Sequence, residues 1–449
     1  MKKKGLQPAN RRLVAHQSGR AIAAVASKFD GSLCGFKYVI TFSEASSGEQ
    51  YSDLAGCGSP RCLLGWLTFV IEVESTTSAI ILRPETIAKL TEKLEPLMSS
   101  VSKSLPPEIN DASVWYGPQL SGRTDWIEHL HAEEIAEVES AARQLGESSI
   151  DLTSINVEDF PIPTLGPRLR HLLKEVLNGR GFVLIKALPV ERWTTREAAI
   201  AFLGIGVHLG NLRMQNAAGH LLGHVKDLGR SSDDPNARIY QTRERQTHHT
   251  DSCDVVGLLC MRAAKSGGLS NLVSSNTIFN EMRRRRPDLL GILLERIETD
   301  RRGEVPEGSN PYFSIPVFNW HEGLLSAIYQ RQYIESARRF PGVAPLSPKQ
   351  VEALNLFDEL ANDPNLNLMM DLQPGDMQFV HNHTILHDRT AFEDYPEPER
   401  KRHLLRLWLA PPNARPLPEV FAERFGSVTP GDRGGIALSG VKPVIPFDV

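Results

Sequence analysis

Apolar residues recur at helical spacing from Ala132 to Leu145 and from Leu169 to Leu177, and the second run closes on the stop signal Asn178-Gly179. The continuous run Gly181 to Lys186 then predicts a core strand, and Thr194-Thr195 caps a helix through Ala198, Ala201 and Phe202 to about Leu209. Short apolar stretches follow at Leu221 to Val225, Arg238 to Gln241, Val255 to Met261 and Leu272 to Ser274, each the length of a strand. A helix is predicted over Thr277 to Arg284, strands over Tyr312 to Phe318 and Leu324 to Tyr329, and a helix over Lys349 to Asn362. The last strands are Gln378 to Val380, after the turn Gly375-Asp376, and His403 to Leu409. Many short strands with helices outside them predict a mainly β fold with surrounding helices, built on a two-sheet, jelly-roll-like core. The open mouth of such a core suits a ligand.

Chemistry enters at Thr247-His248-His249-Thr250-Asp251, which opens the apolar run Val255 to Met261. With 14 His and 54 acids in 449 residues, about two His-x-acid triplets are expected by chance. The other one, His131-Ala132-Glu133, falls on a predicted helix, where residues two apart face nearly opposite sides. At a strand start they point the same way, so His249 and Asp251 could share an ion. A second imidazole completes the two-His, one-carboxylate face of a non-haem iron site. Spacing leaves His381, His383 and His387 open for that place. Farther on, Arg402, Leu404 and Arg406 share one face of an apolar strand, and the guanidinium fork matches a carboxylate in two hydrogen bonds. Each residue alone has an ordinary structural reading; the metal reading rests on their combination.

From Thr247 to Pro411 the chain resembles the taurine dioxygenase-like (TauD/TfdA) branch of Fe(II)- and 2-oxoglutarate-dependent oxygenases. The resemblance is carried by His249-Thr250-Asp251, Ser266-Gly267-Gly268-Leu269-Ser270, Gly375-Asp376-Met377, Asn382 with Leu386-His387-Asp388-Arg389, and Arg402 to Arg406. It implies a double-stranded β-helix of the clavaminate synthase-like kind, with His249, Asp251 and His387 as iron ligands. It further implies that Arg402 grips the distal carboxylate of 2-oxoglutarate, supported by Ser270 where the family often has Thr, and that Arg406 faces substrate or cosubstrate. The implied activity is that of an oxidoreductase: O2 and 2-oxoglutarate are consumed, succinate and CO2 released, and a substrate C–H bond is oxidised, by default to an alcohol. An aspartate at 251 disfavours halogenation. His248 stands where relatives carry an aromatic or apolar residue, and alternation turns it away from His249. The span of about 275–365 between the ligands implies a helical lid.

The substrate expected is a small polar or anionic metabolite, held by some of Arg213, Gln215, Asn216, Asn382 and Arg406, with Trp115 in an aromatic wall. A metal-binding jelly roll that senses a small molecule or has lost catalysis is the alternative, and a zinc hydrolase is a third; neither needs the Arg402 clamp.

A net charge of −4 and a pI near 6.4 give no nucleic-acid signature. No membrane span is indicated: the apolar run Leu63 to Ile71 ends at Glu72. Five Cys form no CxxC pair and suit a reducing, cytoplasmic setting. Cys253 is expected to be a packing residue. Residues 1–105 read as an extension to a dioxygenase domain over 106–449, with Thr41 to Ser59 a loop. Lys2, Lys3, Lys4, Arg11, Arg12, Arg20 and Lys28 all precede the first acid, Asp30, which gives either a basic tail or a mitochondrial leader. A homo-oligomer is compatible with all of this.

Overall fold

The computed structural model describes residues 105–231 and 238–448 and, ahead of them, four backbone strands: Arg11–Gln17, Arg20–Phe29, Lys37–Glu44 and Leu67–Glu72. Those four pair antiparallel in chain order as one sheet. Thr41 to Glu44, read as loop, is therefore strand; the rest of that loop and Lys2 to Lys4 lie outside the described residues. The chain divides into units 1–103 and 104–449, and the second carries every motif named above. Among the described residues no helix is long and apolar enough to cross a membrane.

The second unit is built on two sheets. The larger one runs Ile127–His129, Phe182–Lys186, Met377–His381, Val255–Arg262, His403–Ala410 and Asn211–Leu212, and Leu222–Val225 also pairs with His403–Ala410. The smaller one runs Leu368–Met370, Ser270–Ser274, Ile385–Arg389 and Gln246–His249. Strict alternation assigns the faces of the larger sheet. Leu405, Leu407 and Leu409 point outward, with Val255 and Leu259, onto the helices Ala132–Glu147, Leu165–Asn178 and Thr195–Val207. Leu404, Trp408, Val256 and Cys260 point inward and pack with Leu272 and Ile385 of the smaller sheet. This is the jelly-roll core expected from the strand pattern.

Helix termini follow their local signals. Thr194 accepts from the Glu197 N–H and Glu197 returns the bond, as Ser347 does with Gln350 ahead of Pro348–Asn362. Two expectations fail. Arg238 to Gln241 is no strand: the Gln241 and Thr242 amides bond back three residues, which closes a 3-10 turn at Ile239–Gln241. Tyr312 to Phe318 is not one strand either. Tyr312–Pro316 pairs with Arg296–Asp300, and Phe318–His321 pairs with Leu324–Ala327 as a separate hairpin.

A stacked histidine pair ties the chain's end to the larger sheet. His224 Nε2 donates to Pro446 O at 3.0 Å, which leaves Nδ1 to accept from His403 Nε2 at 2.8 Å, while His403 Nδ1 accepts from Arg262 at 3.1 Å. No ring nitrogen is left for a further proton. Burial pulls both rings below the usual imidazole range, His403 to about 3. A depressed folded value means that the unfolded chain binds the extra proton. The stability is therefore whole above pH 6.5 and is lost as pH falls toward 3, at about 1.4 kcal/mol per pH unit for His403. Urea unfolding midpoints measured between pH 7 and 4.5 should show this slope. His403→Gln should flatten it by one proton; an unchanged slope would contradict the assignment.

Candidate active site

His249 ends its strand on the smaller sheet, and His387 is its direct partner on the neighbouring strand, with ring centroids 4.2 Å apart. Asp251 does not lie at a strand start, as the triplet suggested. It sits in the crossing between the two sheets, after Gln246–His249 and before Val255–Arg262, so strand alternation does not orient it. Tertiary contacts do. Its backbone N–H donates to Asn382 Oδ1 at 2.9 Å, and its carboxylate accepts from Trp408 Nε1 at 3.0 Å. Thr250, between the two, exchanges hydrogen bonds with the backbone of Tyr329. One ligand atom from each of His249, Asp251 and His387 lies within 4.8 Å of the others.

The electrostatics suit a cation. His249 Nδ1 donates to Thr247 O at 2.9 Å, which fixes the tautomer and leaves the Nε2 lone pair to the site, where the Gln246 amide donates to it at 2.8 Å. Burial, then the nearby His387, pushes His249 down to about 3, so it is neutral and able to ligate at neutral pH. Burial alone would raise Asp251; Arg406 and then His387 outweigh it and hold the carboxyl well below the usual range. The other histidines are engaged elsewhere. His383 Nε2 donates to Asp254 at 2.7 Å, His381 Nδ1 meets Thr384 Oγ1 at 3.1 Å, and His248 turns toward Asp388. Cys253 directs its thiol to Val255 O, and burial raises it well above the usual thiol range.

Beside the triad runs a narrow slot lined by His249, His387, Ser270, Arg389, Arg402 and Leu404. Ser270 Oγ donates to Gln378 Oε1 at 3.1 Å. Arg402 is 5% exposed, and desolvation lowers it to about 10. Its Nη1 has no hydrogen-bond partner. A buried guanidinium with a free donor fits a carboxylate arriving from outside the chain.

On the other side of the triad a cavity of about 350 Å³ opens. Of the residues expected to meet substrate, Gln215, Asn216 and Arg406 line it. Arg406 is fixed by Gln215 Oε1 at 2.7 Å and stacks on Tyr240 and Trp408. The other three take different places. Arg213 bonds to Gly434 O and Asp432, Asn382 braces Asp251, and Trp115 packs on Phe182 with its indole N–H on Arg180 O. Between the ligands, the helices Ser275–Arg285 and Pro348–Asn362 pack in a second core with Val273 and Leu386 of the smaller sheet and with Tyr329 and Ile334, and neither lines the cavity. Tyr329 to Ile334 and the hairpin 296–316 line the cavity instead.

Residues 143–408 match the model of the taurine catabolism dioxygenase TauD, TfdA family. The chain belongs to this family. It is an iron- and 2-oxoglutarate-dependent TauD/TfdA dioxygenase. Among its relatives, FR-33289 synthase of Streptomyces rubellomurinus is 31% identical over 331 residues, which is 72% of this chain and 96% of that protein. The taurine hydroxylase-like protein SAT17 of Stachybotrys chartarum is 31% identical over 326 residues, 69% of this chain and 83% of that one. A uridine-5'-phosphate dioxygenase of a Streptomyces species is 29% identical over 183 residues, 39% of this chain and 64% of that one. Among solved structures, asparagine oxygenase with Fe(II), hydroxyasparagine and succinate aligns at TM-score 0.49 and 16% identity, over 63% of this chain and 93% of that one.

Two residues of this TauD/TfdA dioxygenase's site escaped sequence reasoning. Arg389 had a usable signal, since it stands two residues after His387 on one strand and so shares its face. Trp408 had a partial one, since it continues the face of Arg402, Leu404 and Arg406, but nothing in the sequence shows that its indole meets Asp251. Trp408→Phe keeps the packing and removes that one donor. Such outer partners are worth about ten- to a hundredfold in metal affinity. An Fe(II) titration of the variant should show that loss without loss of folded protein; unchanged affinity would make the contact incidental.

Proposed function

We propose that this dioxygenase hydroxylates a small anionic metabolite, with His249, Asp251 and His387 holding Fe(II) and with Arg402 and Ser270 holding the distal carboxylate of 2-oxoglutarate. The observation that carries the substrate class is the charge of the cavity over the triad. Among the described residues, Arg230, Arg238, Arg302, Arg406 and Arg424 line it, against Asp251 and Glu304. Glu304 is itself committed to Arg238 and Arg424, at 2.5 and 3.3 Å. A wall of that composition favours an anion and disfavours a cation of equal size. The relatives' names agree with an anionic class, since uridine 5'-phosphate is a phosphate ester and taurine carries a sulfonate.

The bound iron and 2-oxoglutarate supply the oxidising chemistry that protein side chains lack. The chain's own part is placement. Asp251 and the two imidazoles, whose ligand atoms lie within 4.8 Å of one another, would hold the metal, which would supply the site for the reacting ligands. Arg406, rigid between Tyr240, Trp408 and Gln215, orients the substrate's charged end near the triad. Tyr329, Gln330, Gln332, Tyr333 and Ile334, from the segment between the ligands, form one wall of the cavity.

Succinate release from 2-oxoglutarate, followed while candidate metabolites are added singly, tests the reading. Stimulation by phosphorylated, sulfonated or carboxylated compounds and not by their neutral or cationic counterparts is expected. Stimulation by neutral compounds alone would remove the anionic class and leave the dioxygenase assignment standing.

A further inference from the structure

We propose that Arg389 is a second cation for the distal carboxylate of 2-oxoglutarate, so that the cosubstrate is gripped by two buried guanidiniums from opposite sheets. This rests on the reading that 2-oxoglutarate lies in the slot with its distal end toward Arg402.

The placement comes from strand register. On Ile385–Arg389, His387 and Arg389 are two residues apart and project on one face. The cross-strand partner of Arg389 is Ser270, and that of His387 is Leu272. Moving along the smaller sheet from the metal ligand, the next pair facing the slot is therefore Arg389 with Ser270. Arg402 reaches the same slot from the start of the larger sheet's strand His403–Ala410. Both guanidiniums lie against the ring of Phe392, at 4.8 and 5.1 Å from its centroid, so the two charges share one neighbourhood.

Among the described residues neither guanidinium has a carboxylate within ion-pair distance; Asp388, Asp227 and Asp394 act on Arg389, and Asp394 on Arg402, only from farther off. Arg389 is 6% exposed; its Nη2 donates to Glu244 O, and its Nε and Nη1 have no partner. Arg402 donates from Nη2 to Gly268 O at a long 3.4 Å, and its Nη1 is free. The adjacent Asp388, which also borders the slot, is bound by Arg245 at 2.7 Å. Asp394 accepts from the Arg402 backbone. Two like charges buried in one neighbourhood destabilise a fold unless an anion joins them. A dicarboxylate whose other end chelates the metal supplies that anion and can accept from both forks.

The test uses the full-length protein with Fe(II) under anaerobic conditions, where the chelate's visible charge-transfer band reports binding without turnover. It compares 2-oxoglutarate with 2-oxovalerate, which keeps the chelating end and lacks the distal carboxylate. Arg389→Met should weaken 2-oxoglutarate by about ten- to a hundredfold, the range for one charged hydrogen-bonded contact. It should leave 2-oxovalerate unchanged, and Arg389→Lys should recover part of the loss. The rise in unfolding temperature caused by 2-oxoglutarate should shrink in Arg389→Met, while the unliganded variant melts no earlier than wild type. Equal weakening of both ligands, or of neither, would overturn the proposal and leave Arg402 as the sole grip. Wild-type protein that bound the two oxoacids equally would overturn the cosubstrate's placement as well, a different result from the first.

Discussion

His387→Ala should abolish iron binding and reduce succinate release by at least about a thousandfold, the scale on which a metal's several kcal/mol of stabilisation enters a rate. His249 and Asp251 alone offer two ligands, and the cross-strand contact that brings the rings to 4.2 Å supplies the third. The fold should tolerate the change. His387 lies at the slot and not in a hydrophobic cluster, so its removal opens no gap in the core. Iron content after anaerobic reconstitution, measured with circular dichroism on the same samples, separates loss of metal from loss of fold. The informative control is His383→Gln. His383 is 1% exposed and bound to Asp254, so its replacement should lower stability yet leave iron in place. If His387→Ala kept its iron and His383→Gln lost it, the ligand assignment would be wrong.

That control matters because the spacing of residues 381–387 leaves three histidines open, and register settles what spacing does not. The sequence makes the apolar strand of each sheet visible: Val255 to Met261 and His403 to Leu409 are found within a residue of their observed ends, 255–262 and 403–410. Those strands are buried on both faces, so their apolar runs are continuous and hard to misread. The site is less legible because it is made by pairing between distant strands. Leu272 with His387, and His387 with His249, are partners whose sequence separations carry no local signal. Asp251 shows the limit most clearly. Its motif suggested a strand, whereas Asn382, Trp408 and Tyr329, all far off in sequence, decide where it points. The same holds for Arg213, whose charge looked available until Asp432 and Gly434 proved to be its partners.

A further long-range support, the ion pair of Asp254 with Arg433, should have the largest effect on stability. Asp254→Ala is expected to destabilise the protein by about 3–5 kcal/mol, because it strands a fully buried guanidinium. Arg433 is 0% exposed and meets Asp254 through Nε at 3.0 Å and Nη2 at 2.8 Å, while His383 donates to the same carboxylate. Burial would raise Asp254, but His383 and then Arg433 hold it ionised. Arg433 lies beyond residue 408, where the family match ends, so the segment after the shared domain reaches back to the loop that carries Asp251. Gly435 donates to Ser252 O at 2.7 Å and Arg424 to Ser252 Oγ at 2.8 Å, which places two further ties on that loop. A buried pair contributes less as a unit than the loss of one member suggests, since desolving both charges offsets much of their attraction. The double variant Asp254→Leu with Arg433→Met should therefore recover most of the stability lost in Asp254→Ala. Chemical denaturation of the three proteins gives the comparison. Its counterpart is the iron site: the double variant, refolded but without the ionic tie between the tail and the Asp251 loop, should bind Fe(II) more weakly than wild type. Full recovery of both stability and affinity would mean that Gly435 and Arg424 suffice to hold the loop.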